Sequence, residues 1–86
     1  MSDNRWRFEI SAMMDPQALS RIIGYFAQRS IVPVEMSMRV VCDVMHIAIL
    51  TVDLPAAHAQ IIAAKLAELF VIFEVKLESA ELCIQD

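Results

Sequence analysis

Residues 6–28, WRFEISAMMDPQALSRIIGYFAQ, change hydrophobic period once, and that change decides the fold. Trp6, Phe8, Ile10 and Ala12 alternate with Arg7, Glu9 and Ser11, the period of two that separates a core face from an open face. A first strand is therefore expected from about Arg5 to Met13. Asp15 can then accept from the free N–H groups of a helix start, and Pro16 suits the first helical position. Leu19, Ile22, Ile23 and Phe26 follow at helical spacing on one side, with Gln17, Arg21, Gly24 and Gln28 on the other. This predicts an amphipathic helix lying on a sheet.

From Ile31 the period returns to two. Val34, Met36, Met38 and Val40 alternate with Glu35, Ser37 and Arg39. Pro33 cannot donate to a ladder, which puts it at the start of this second strand or on an exposed edge. Cys42-Asp43 reads as a turn without the Gly that tight hairpins prefer. The third strand, Val44 to Val52, is apolar on both sides apart from His46 and Thr51, which suits an interior position. Asp53-Leu54-Pro55 ends it and opens a second helix, in which Ala59, Ile62, Leu66 and Leu69 form the apolar row. The last strand runs from about Val71 to Glu78, with Val71, Phe73, Val75 and Leu77 set against Glu74, Lys76 and Glu78. A short acidic tail follows, with Leu82 and Ile84 as anchors.

The order β-α-β-β-α-β, with right-handed crossovers, predicts an α+β, ferredoxin-like sandwich: a four-stranded antiparallel sheet carrying both helices on one face. At 86 residues the chain buries only ~60% of what its unfolded state exposes. With 58% hydrophobic residues it holds more apolar side chain than a small monomer hides easily, which favours association. The longest charge-free run, Leu54 to Ala64, is far short of the ~20 apolar residues of a spanning helix. No secretory leader pattern opens the chain, so the expectation is a cytoplasmic protein without a membrane.

A net charge of −4 and scattered basic residues argue against nucleic acid, whose affinity comes from neutralising runs of phosphates. Cys42 and Cys83 lie far apart with no ligand-spaced His, so the expectation is two reduced thiols and no metal. Catalytic templates fail on residue supply. A hydrolytic triad needs a nucleophile, a positioned base and an orienting acid; the two His are His46, expected to be packed or hydrogen-bonded in its strand, and His58, expected at the surface. Asp15 and Asp53 precede helices, where capping is the expected role. With Gly24 the only glycine, no glycine-rich phosphate loop can form. No catalytic residue, cofactor or enzymatic activity is expected.

The run Ala18-Leu19-Ser20-Arg21-Ile22-Ile23-Gly24-Tyr25-Phe26, within a longer stretch from Phe8 to Met38, resembles the opening of an ACT domain. More narrowly, it is similar to the regulatory (small) subunit of acetolactate synthase, also called acetohydroxyacid synthase. His46 to Val52 and Gln60 to Leu77 resemble that family's third strand and closing helix and strand. The resemblance implies that residues 1–86 form one ACT-like domain, its core at about 5–78 and its tail at 79–86. It implies a homodimer joined edge to edge through the second strand, with Val34, Met36 and Met38 at the seam. It also implies docking on the catalytic subunit of a thiamine-diphosphate enzyme of branched-chain amino acid biosynthesis. The alternative is a stand-alone module that senses an amino acid or another small metabolite.

The effector loop of the resembled family falls on Met14, Asp15 and Gln17, with Val32 at the turn into the second strand. Family members that bind an amino acid carry Asn and Gly in the first loop and a second Asn at the turn; the corresponding positions here are Met14, Gln17 and Val32. Met14 and Val32 bring no polar side chain to an ammonium or a carboxylate, and burying either unpaired is costly. Gln17 also removes the close backbone approach that Gly permits. The expectation is a site lost or strongly altered. Gly24 falls on the outer face of its helix, and two readings stand: inherited family sequence without present use, or a close backbone approach by a partner.

Overall fold

The computed structural model describes residues 4–80, so the tail anchors Leu82 and Ile84 and the second thiol, Cys83, lie outside the described residues. The elements are β1 (Trp6–Met13), α1 (Pro16–Gln28), β2 (Glu35–Val41), β3 (Val44–Thr51), α2 (Ala56–Ala67) and β4 (Ile72–Ser79). All strand pairs are antiparallel, in the order β2-β3-β1-β4, which puts β3 and β1 inside and leaves β2 and β4 as borders. The expected βαββαβ arrangement is the observed one.

Alternation on the two central strands builds the core. Phe8, Ile10 and Ala12 of β1 stand opposite Ile49, Ile47 and Met45 of β3, all buried on the face that the helices cover. Both helices feed this one core. Ala18, Ile22 and Phe26 come down from α1, with the Phe26 ring edge-on to Phe8 at 5.2 Å between centroids. Ala59, Ile62 and Leu66 come from α2, which lies over β1 and β4. Thr51 is the single buried polar residue described, and its hydroxyl donates to the Trp6 carbonyl at 3.2 Å. Among the described residues no helix is long and apolar enough to cross a membrane.

The helix starts divide the expectations. Asp15 caps α1 as its position predicts: its Oδ1 accepts from the Gln17 N–H at 2.9 Å, and Pro16 follows in the first turn. Asp53 does not cap α2. Its backbone adopts a left-handed φ of 57°, the N-cap residue is Pro55, and no side chain takes the first N–H groups. The α1 end closes with Ser30 in the left-handed region at φ 60°. There the Ser30 N–H bonds to Ala27 and the Ile31 N–H to Phe26, the two bonds of a Schellman end that normally uses Gly. Cys42 and Asp43, at φ 51° and 65°, form a two-residue type I′ hairpin without glycine.

Three side chains sit elsewhere than the sequence indicates. Ile23 is exposed and Ala18 buried, because the face of α1 that meets the sheet is rotated by part of a turn. His46 is exposed rather than packed, since the odd-numbered residues of β3 take the core. On β4 the ladder slips between Ser11 and Ala12: Ser11 faces Glu74 while Ala12 faces Ile72. Phe73 is the extra residue of that bulge and is 61% exposed, so Ile72 rather than Phe73 enters the core.

Candidate functional site

Three surfaces could carry function. The first is the β2 border. Its free edge begins after Val34, whose N–H bonds inward to the Leu50 carbonyl at 2.9 Å. Met36, Met38 and Val40 stand opposite Ile49, Ile47 and Met45, hence on the helix-covered side of the sheet. They are nonetheless 43–46% exposed, and every residue of β2 is exposed. Periodicity read the face correctly; it could not say that neither helix reaches this far. Glu35, Ser37 and Arg39 occupy the opposite, open side of the same strand.

The second surface is the loop pair that the family resemblance singles out. Met14 is exposed at the end of β1, beside the Cys42-Asp43 hairpin end of the sheet, because Met13 pairs with Val44. Val32 is 80% exposed and precedes Glu35, which pairs with Leu50 at the other end of β3. Six strand residues, roughly 20 Å, separate the two ends. One protomer therefore does not bring Met14, Asp15 and Gln17 together with Val32. The Asp15 carboxylate and the Gln17 N–H are already engaged with each other in the α1 cap.

Concave ground makes up the third. A cleft of about 480 Å³ opens between the end of α1 and the start of α2, lined by Arg29, Ser30, Asp53, Leu54, His58 and Ile61 among others. Its Arg29 guanidinium lies 3.8 Å above the Tyr25 ring and donates to the Tyr25 hydroxyl at 3.0 Å. The open sheet face holds a broader hollow of about 570 Å³, where Glu9, Arg39, His46, Glu74 and Lys76 surround small residues such as Ser11 and Ala48. Sequence reasoning passed over both hollows. The alternation of Ser11, Ala48 and Ser37 with core residues was the one visible sign of the sheet-face hollow. Among the described residues no group of three or more His, Cys, Asp or Glu is placed to hold a metal.

No curated protein matches the sequence. Solved structures do match the fold. The ACT domain from the GTP pyrophosphokinase of Chlorobium tepidum superimposes with a TM-score of 0.76 at 10% identity, covering 90% of this chain and 100% of that one. The C-terminal domain of the MgtC protein from Mycobacterium tuberculosis gives 0.74 at 12% identity, over 95% of this chain and 93% of that one. A homoserine dehydrogenase from Thiobacillus denitrificans gives 0.71 at 22% identity; 88% of this chain is covered, but only 17% of the much longer enzyme. At these identities the likeness is one of fold, which alone assigns no task. The sequence carries the assignment further: a family model described as an ACT-like domain matches residues 2–83, and the chain belongs to that family.

Proposed function

We propose that the chain is a non-catalytic regulatory and association domain that dimerises through β2 and docks on a larger catalytic subunit. ACT-like domains are commonly regulatory modules for small molecules, and structural likenesses include a domain of a GTP pyrophosphokinase and part of a homoserine dehydrogenase. The observation that carries the reading is the bare β2 border, with Met36, Met38 and Val40 exposed on the side where the rest of the sheet is covered. An unpaired strand with adaptable Met side chains is suited to joining another strand. The run Ala18 to Phe26 supports the narrower reading of an acetolactate synthase type small subunit in the cytoplasm, serving a thiamine-diphosphate enzyme.

A second reading, a stand-alone module that senses an amino acid or other small metabolite, is favoured by the cleft at Arg29, Asp53 and His58. Two measurements separate them. Sedimentation at micromolar concentration is expected to give a dimer, and the native protein is expected to co-purify with a large thiamine-diphosphate enzyme and raise its activity. A monomer throughout would overturn the proposed association. Titration calorimetry with the twenty amino acids giving heat for any of them, with no enzyme partner, would replace the subunit reading by the sensing one.

A further inference from the structure

Resting on the reading of β2 as the association edge, we infer that the second copy pairs in one register, in which residue numbers across the seam sum to 74. Three observations lead there. The first is which backbone groups are free. The two-residue hairpin makes Val41 and Val44 a hydrogen-bonded pair, so Val41, Arg39, Ser37 and Glu35 turn their N–H and C=O groups toward β3. Met36, Met38 and Val40 turn theirs outward. A two-fold antiparallel seam must therefore pair even-numbered residues with even-numbered ones. An odd offset would also put the Met side chains opposite the charged face.

The second observation is charge. Glu35 and Arg39 are exposed on the same face of β2, and no ion pair is seen for either among the described residues. Four residues apart on a strand, about 13 Å, they cannot reach each other within one chain. In a two-fold antiparallel pair with the sum 74, Glu35 of each copy stands directly opposite Arg39 of the other, and this happens twice. The neighbouring even offsets put Arg39 opposite Ser37 or Pro33, both neutral. The third observation is the apolar side. The same register sets Met36 against Met38, twice, so the exposed methionines on the helix-covered side of one border meet those of the other. Ser37 falls on the two-fold axis and faces its own copy.

The register is tested by charge complementation. Glu35→Arg and Arg39→Glu, made separately, each convert two attractive cross-strand pairs into two repulsive ones. Each is expected to raise the dimer dissociation constant roughly tenfold or more. Mixed together, the two variants restore both pairs, so native mass spectrometry should find the heterodimer in excess over either homodimer. A second arm uses cysteine. In a Cys42→Ser, Cys83→Ser background, Ser37→Cys is expected to form a disulfide-linked dimer on mild oxidation, since a non-hydrogen-bonded pair sits about 4.5 Å apart between Cα atoms. Met38→Cys is the control, because it faces its own copy only if the seam is shifted by two. A wild-type chain that stays monomeric overturns the β2 reading itself. A wild-type dimer with no heterodimer preference, or with crosslinking at residue 38 in place of residue 37, overturns this register while leaving dimerisation standing.

Discussion

The two border strands of this sheet are built to different rules. On β4 the side chains facing the helices are tucked away: Ile72 is buried, and Val75 and Leu77 are half-buried under α2. Its outer side carries Glu74, Lys76 and Glu78, and it enters the sheet through a bulge. Charged residues and bulges are the devices by which proteins blunt a free edge. On β2 the corresponding positions are Met36, Met38 and Val40, all exposed, and no bulge intervenes between Glu35 and Val41. The difference comes from where the helices settle. Phe26 of α1 meets Phe8 of β1, an interior strand, edge-on, whereas every residue of β2 is exposed. One border is finished within the chain; the other is left exposed.

The largest test of that contrast is in stability. Ile72→Ala on β4 removes a buried side chain and is expected to cost about 2–5 kcal/mol in urea unfolding. Met38→Ala on β2, starting 44% exposed, is expected to change the unfolding free energy of the monomer by about 0.5 kcal/mol or less. Equal losses would break the distinction. Next comes association. Met38→Lys puts a charge into the proposed seam and is expected to raise the dissociation constant of a dimer at least tenfold in sedimentation. Phe73→Lys, on a still more exposed residue of the other border, is expected to leave it unchanged. The smallest effect sharpens the boundary of the seam. Gly24 lies inside α1 with open space where a Cβ would stand, so Gly24→Ala is expected to stabilise the chain by about 0.5–1 kcal/mol without altering dimerisation. A loss of dimerisation there would extend the contact onto the outer face of α1.

The architecture was legible because its signals are local. Phe8, Ile10 and Ala12 declare a strand, Asp15-Pro16 a helix start, and Ala59, Ile62 and Leu66 a buried row, each within a few residues. What stayed hidden depends on distant packing. Nothing near Phe73 announces the slipped ladder that turns it outward, because the slip is set by pairing with Ser11 and Ala12, some sixty positions earlier in the chain. Asp53 looked like a cap because it precedes a helix, but its left-handed backbone leaves Pro55 as the N-cap residue. The two hollows are tertiary features, gathered from three or four elements at once. Of the residues that the family resemblance marks, periodicity gave the side of the sheet for Met36 and Met38; that Met14 and Val32 lie at opposite ends follows only from strand direction.

The bulge at Phe73 has a bearing on how far assembly could run. A two-fold seam uses up β2 in both copies, and the only ladders left would be the two outermost ones, each kinked where it begins and studded with like and unlike charges. Such a particle has finished ends. In the proposed dimer, a chain with so much exposed aliphatic surface would thereby stay a discrete pair at high concentration instead of stacking onward into fibres.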